Sequence, residues 1–280
     1  MTVPRITRES ANGLQMEVRS WPGPDAASNP PVVILHGVLQ TSQGMRHLAE
    51  RMAMDGEVLV PDLRGRGGTD RPDSGYDAAT MAEDVGALIE GRGLSPAVVI
   101  GRLHGGLVAY HLAARRPELV RGVVLGNATP EVSSERAARV LARVSAIPRQ
   151  FASREDAERF YEEVLGLSPA RVRSDIPSDL EAQPDGSYRW RHDLDIVARI
   201  EAAATPRSDW HVLGRVRCPM LVLRGQRGEL SAEVANRMLE IVPNSKAQVI
   251  HGAGPDVFLG PGSEQTLAAI QLFVRGVGRA

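Results

Sequence analysis

The chain is poor in several kinds of side chain, and each shortage closes off a class of function. Cys218 is the only cysteine in 280 residues, so no internal disulfide can form, and the count argues against thiolate-ligated zinc. Lys246 is the only lysine among 33 basic residues. It leaves Schiff-base chemistry a single candidate, and that candidate lies in a polar stretch. Aromatic residues make up 4% of the chain, too few to expect stacking on a flavin or a nucleic acid. Basic and acidic side chains nearly cancel, giving a formal net charge of −1. That balance speaks against nucleic acid or an anionic membrane surface as partner. The opening MTVPRITRES is polar, and no apolar run approaches membrane-spanning length. A cytoplasmic protein with a small-molecule ligand is the expectation. No H-x-x-x-H, H-E-x-x-H or acidic calcium-loop spacing occurs, and no glycine-rich stretch has dinucleotide or Walker spacing. Neither a metal nor a cofactor is therefore expected.

The chain does have strand-like apolar runs alternating with helical patterns, which predicts an α/β protein with a mainly parallel sheet and helices on both faces. Strands are expected at Leu14–Arg19, Val32–Leu35, Val58–Val60, Ala97–Ile100 and Val120–Leu125. Helices are expected at Met45–Met54, Asp77–Glu90 and Gly105–Arg116, the last stopped by Pro117. From Pro130 to Ser208 the alternation breaks, and Arg, Glu and Ala dominate in a stretch that reads as all-helical. The core pattern resumes with a strand at Met220–Leu223 and a helix at Ala232–Ile241. A strand at Ala247–Ile250 and a last helix near Glu264–Val274 follow. Residues 1–129 and 209–280 are thus expected to form one core, with 130–208 inserted as a helical cap. A cap so placed lies over the carboxyl edge of the strands, where open α/β sheets bind ligands.

Five motifs sharpen this reading: LHG at Leu35–Gly37, PDLRGRGGTDRP at Pro61–Pro72, IGRLHGG at Ile100–Gly106, CPMLVLRG at Cys218–Gly225 and HGAGPDVFL at His251–Leu259. Their order and spacing resemble the α/β-hydrolase fold family over nearly the whole chain. The resemblance implies a G-x-S-x-G nucleophile elbow, a late histidine and an acid after a core strand. Gly101, Gly105 and Gly106 keep the elbow, but Leu103 stands at the nucleophile position and Pro255 at the histidine position. Neither can attack a carbonyl or carry a proton. The acid position falls on Gly228 or Glu229, depending on the alignment of that loop. Triad members act as a unit, and losing one lowers turnover by roughly 10⁴–10⁶. On this reading Ser-His-acid hydrolysis is excluded.

Other candidates remain around the same place. The resemblance puts His36 and Gly37 in the oxyanion-hole loop, with the N–H of Val38 as one donor and that of His104 as the other. His104 follows Leu103 at a helix N-terminus, where the dipole favours neutral imidazole. It is either a general base facing the pocket or a histidine packed under the turn. Glu229 is the second catalytic candidate. Arg102 either lines the cavity or pairs with the cap. Asp256, directly after Pro255, could point its carboxylate toward the histidine position. His192 could reach down from the cap or lie solvated beside Asp193. Leu103 and Pro255 complete the expected pocket wall.

The reading adopted is a capped enzyme that lacks the triad and catalyses a non-hydrolytic reaction on a small, largely apolar metabolite. Cyclisation, isomerisation, lyase and decarboxylation chemistry all fit. Two others stay open: a non-catalytic protein that binds a ligand or partner, and a hydrolase with relocated catalytic residues.

Overall fold

The computed structural model describes residues 3–24, 29–164, 172–173, 179–191, 193–204 and 207–278. The chain opens with a hairpin, β1 (Arg5–Ala11) and β2 (Leu14–Trp21). Asn12 and Gly13 turn it with φ of 49° and 77°, as a two-residue hairpin turn requires. The sequence reading missed β1 because that strand is an exposed edge of polar residues, with no apolar face to reveal it. Next come β3 (Val32–Leu35), α1 (Arg46–Met52), β4 (Val58–Pro61) and α2 (Ala78–Gly91). Then follow β5 (Ala97–Arg102), α3 (His104–Arg115) and β6 (Val120–Gly126). Asp77 starts α2 as an N-cap, its side chain accepting from the Thr80 N–H.

Between β6 and the next core strand the chain is not all-helical, contrary to expectation. It holds β7 (Glu131–Val132), α4 (Ser134–Ser145), β8 (Gln150–Phe151) and α5 (Arg154–Arg159). After these come β9 (Leu180–Ala182), β10 (Tyr188–Trp190), α6 (Leu194–Ala204) and β11 (Arg207–Ser208). Strands β8, β10 and β9 form a small sheet, and β7 pairs with β11. Strands of two or three residues are too short to show a period of two. The core then returns with α7 (Trp210–Leu213), β12 (Met220–Gly225), α8 (Ala232–Ile241), β13 (Ser245–Ile250) and α9 (Ser263–Gly278).

The main sheet runs β1-β2-β4-β3-β5-β6-β12-β13. Its pairs are parallel from β4 to β13, and the β1–β2 and β2–β4 pairs are antiparallel. Alternate residues of each central strand enter opposite cores. Val33, Leu35 and Val99 pack with α2, α3 and α8, whereas Val32, Ile34, Val98 and Ile100 pack with α1 and α9. Burial on both faces explains why these strands read as unbroken apolar runs. Helices therefore flank both faces of a mostly parallel sheet. A third apolar cluster, including Phe151, Phe160, Tyr161 and Val197, lies wholly in the segment between β6 and β12, with Val38 and Leu39 of the core against it. No described helix is long and apolar enough to cross a membrane.

Candidate functional site

The turn from β5 into α3 is the most constrained point of the chain. Leu103 caps the helix with φ 48° and ψ −110°, a backbone that costs a side-chain-bearing residue on the order of 1–3 kcal/mol. Its N–H donates to the Gly126 carbonyl at 2.9 Å, and its carbonyl accepts from the Gly106 N–H at 2.9 Å. The surrounding glycines are steric necessities. A Cβ on Gly101 would lie 2.3 Å from the Gly105 carbonyl oxygen. One on Gly105 would lie 2.4 Å from the Leu35 oxygen, and one on Gly106 would lie 2.4 Å from the Ala128 Cβ. Sequence spacing therefore becomes a tight turn with the Leu103 side chain at its tip.

Beside it runs the loop after β3. His36 is buried, and its Nε2 accepts from the Leu63 N–H at 3.0 Å while its Nδ1 lies 2.9 Å from the Gly37 carbonyl. One nitrogen must accept from an amide and the other faces a carbonyl, so the ring is the neutral Nδ1–H tautomer. Burial pushes its pKa down to about 4, against an opposing pull from Asp62. His36 is thus a strut between two loops. The Arg66 guanidinium is buried next to it, its Nε donating to the Val38 carbonyl at 2.8 Å. Burial lowers the Arg66 pKa to about 10, with Glu201 as the strongest opposing charge.

A cavity of about 150 Å³ opens over the turn, walled by Val38, Leu103, His104, Leu107, Asn127 and Thr129 on the core side. Val132, Arg136, Val140 and Glu201 come from the segment after β6, and Glu229 from the loop after β12. Beyond it lies an outer cleft of about 290 Å³ lined by Arg136, Arg139, Val140 and Glu229. The structure thus brings together Val38, Leu103, His104 and Glu229 from the expected set. Five other expected residues are not among the residues that wall this cavity. His36 and Gly37 are turned into the loop interior by the bonds just described. Arg102 pairs with Asp256 at 3.0 Å, with side chains only 12% and 15% exposed. Pro255 offers its carbonyl to Asn127 instead of a side chain to the wall. His192 lies outside the described residues.

The two readings of the loop after β12 separate cleanly. Gly228 sits against Asn127, where a Cβ would lie 2.7 Å from the carboxamide. The Glu229 side chain reaches the cavity rim and forms an ion pair with Arg136. His104 is buried, with Nε2 3.5 Å from the Met81 sulfur. A thioether only accepts, so this is a contact to which Nε2–H can donate.

Asn127, Arg136 and Glu201 were missed from the sequence. Asn127 is buried at φ 49°, and its Nδ2 donates to the carbonyls of Gly254 (3.1 Å) and Pro255 (2.7 Å). Its Oδ1 accepts from the Gly225 N–H at 3.0 Å. The one available signal was its place directly after a strand at the carboxyl edge of the sheet. Arg136 and Glu201 sit on amphipathic helices among many similar charges, and nothing local marks them. Among the described residues no three His, Cys, Asp or Glu side chains group as a metal site.

The sequence pattern that defines the alpha/beta hydrolase fold matches residues 30–260. The chain belongs to that family. Among curated α/β-hydrolase relatives, a 2-(acetamidomethylene)succinate hydrolase of Mesorhizobium japonicum is 29% identical over 259 residues, covering 89% of this chain and 90% of that one. A soluble epoxide hydrolase of a Corynebacterium species matches more locally, at 36% over 105 residues, 38% of this chain and 37% of its own. Among solved structures, that of E-2-(acetamidomethylene)succinate hydrolase superposes with a TM-score of 0.86 at 25% identity, covering 97% of this chain and 99% of the other. The α/β-hydrolase relatives thus include proteins named as hydrolases, and the core geometry is shared with one of them.

Proposed function

We propose that the cavity over Leu103 binds a small, largely apolar molecule and converts it by a reaction other than Ser-His-acid hydrolysis, under a cap formed by residues 130–208. One observation carries the reading: the strained turn is kept with a leucine at its tip, floored into a cavity that also receives His104. Backbone strain persists where the surroundings over-determine it, most often at functional sites. A leucine there supplies no nucleophile, and Pro255 supplies no base. What the turn still provides is an apolar floor and a helix N-terminus, whose dipole favours negative charge such as that of an enolate or carboxylate. His104 is the proton-transfer group in this reading. Holding a substrate in one reactive pose against that floor would lower a barrier by several kcal/mol, about the scale of effective molarities. Isomerisation, cyclisation and elimination need only such positioning plus one proton shuttle.

A second reading has its own support. Because the relative matched over 89% of the chain is named a hydrolase, water activated by His104 is the alternative. Incubating the protein and a His104→Ala variant with a small-molecule extract, followed by mass spectrometry, separates the readings. An isomer of equal mass, or loss of carbon dioxide or water, abolished by His104→Ala, is the expected result. Gain of water would favour the hydrolase. A compound retained unchanged by both proteins would make the chain a binding protein and sink the proposal.

A further inference from the structure

We propose that the ligand of this cavity is an amphiphilic acid whose carboxylate takes the place of Glu229 on the Arg136 guanidinium. The inference rests on the cavity being the ligand site, and it names the chemical class of that ligand. The inner cavity and the outer cleft share Arg136, Val140 and Glu229, so the Arg136–Glu229 ion pair stands where a ligand would pass from one to the other. Arg136 is the only cationic side chain on the inner wall among the described residues. Glu201, the charge on that wall outside the ion pair, already has the buried Arg66 guanidinium as a compensating neighbour. It therefore does not call for a cation from the ligand.

The partners of the ion pair differ in their exposure to water. The Glu229 side chain is 49% exposed and that of Arg136 only 28%. A pair this solvated is worth little, about 0–1 kcal/mol in general. The Glu229 carboxylate can rotate into water at small cost, while Arg136 stays fixed on α4 at the rim. Its planar fork then faces a cavity large enough to admit a second carboxylate, which it can bind through two parallel hydrogen bonds. Arg139, three residues along the same helix, lines the outer cleft and pairs there with Glu135 at 2.6 Å, so Arg136 is the guanidinium the proposal turns on. Inside, Val38, Leu103 and Leu107 give an apolar wall around about 150 Å³, a volume that in an apolar engineered cavity accommodates benzene. A ring-sized apolar body with a carboxylate one or two bonds away fits both halves.

Isothermal titration at low ionic strength with phenylacetate, phenylacetamide and 2-phenylethylamine tests this. The three share a ring and differ in head-group charge. Phenylacetate is expected to bind about tenfold more tightly than the amide, and the preference should shrink as salt is added. Arg136→Met keeps the alkyl stem and should abolish the preference. Glu229→Gln removes the competing carboxylate and should tighten phenylacetate several-fold. Equal or tighter binding of the amide or the amine overturns the proposal, as does a preference that survives Arg136→Met. The variant Val140→Trp, which fills the passage shared by both spaces, separates the two failures. If all three compounds bind alike and Val140→Trp blocks them, the cavity remains the ligand site and only the carboxylate is wrong. If none binds at millimolar concentration, both readings fall.

Discussion

The turn at Leu103 and the loop at Pro255 face the same small region, and they have been built in opposite ways. The turn is strained, held by glycines that permit no Cβ, and open on one side to a cavity. The loop is sewn down: Asn127 grips two of its carbonyls, and the carboxylate of Asp256 is held by Arg102. Neither Leu103 nor Pro255 has a side chain able to act as a nucleophile or a base. The difference teaches that a turn can keep its value through its backbone and floor, whereas a loop whose only offering is a side chain can be turned over to structural ties.

The largest test of that contrast is Gly105→Ala. Its Cβ would press on the Leu35 and His36 carbonyls, which cannot yield without moving β3. A loss of about 4 kcal/mol, at the high end for single substitutions, is expected in urea denaturation. A loss under about 1 kcal/mol would mean that the turn is not over-determined.

Next comes pH, read through His36 beneath the turn. Its pKa in the fold is about 4, lowered from 6.5 by burial. The unfolded chain therefore binds the proton first as pH falls. The stability tied to the neutral ring is fully present above about pH 6.5 and is lost progressively down to about pH 4. The shift corresponds to about 3 kcal/mol. Comparing the pH dependence of unfolding in the native protein and in His36→Asn isolates this term from the carboxylates. Identical slopes in the two would show that His36 is accessible to protons in the fold.

On the loop side, Asn127→Asp keeps the acceptor for the Gly225 N–H but sets a carboxylate against two carbonyls. About 2 kcal/mol should be lost, with faster hydrogen exchange over 252–258 and little change in α3. Exchange that rises equally in α3 would erase the distinction between the two regions. The smallest effect is expected from Leu103→Gly. Relief of the positive φ and loss of a half-buried side chain nearly offset, leaving a change within about 1 kcal/mol. A loss of the 2–5 kcal/mol ordinary for truncating a core leucine would show that the turn stores no strain.

The same contrast explains what could be read in the sequence. The parallel strands were legible because burial on both faces turns them into short apolar runs cut off by glycine and proline, as in Val32–Leu35 and Val120–Gly126. The polar edge strand Arg5–Ala11 and the short strands Gln150–Phe151 and Tyr188–Trp190 carry no such pattern. Leu103 and His104 were legible because backbone sterics fix the glycines around them. Arg102–Asp256, Asn127 and the Arg136–Glu229 pair depend on segments more than 90 residues apart meeting in space. No local rule announces such meetings.

The ties around Pro255 set terms for anyone who would turn this scaffold into an esterase. Serine at 103 would inherit a well-shaped seat, but histidine at 255 would arrive without an orienting partner. Asp256 is already committed to Arg102 in a nearly dry ion pair, and Glu229 leans outward on Arg136. A retrofit must therefore free one of those carboxylates as well, and freeing Asp256 would break a nearly buried ion pair. The cheaper conversion runs through the solvated rim, by replacing Arg136 so that Glu229 can swing inward.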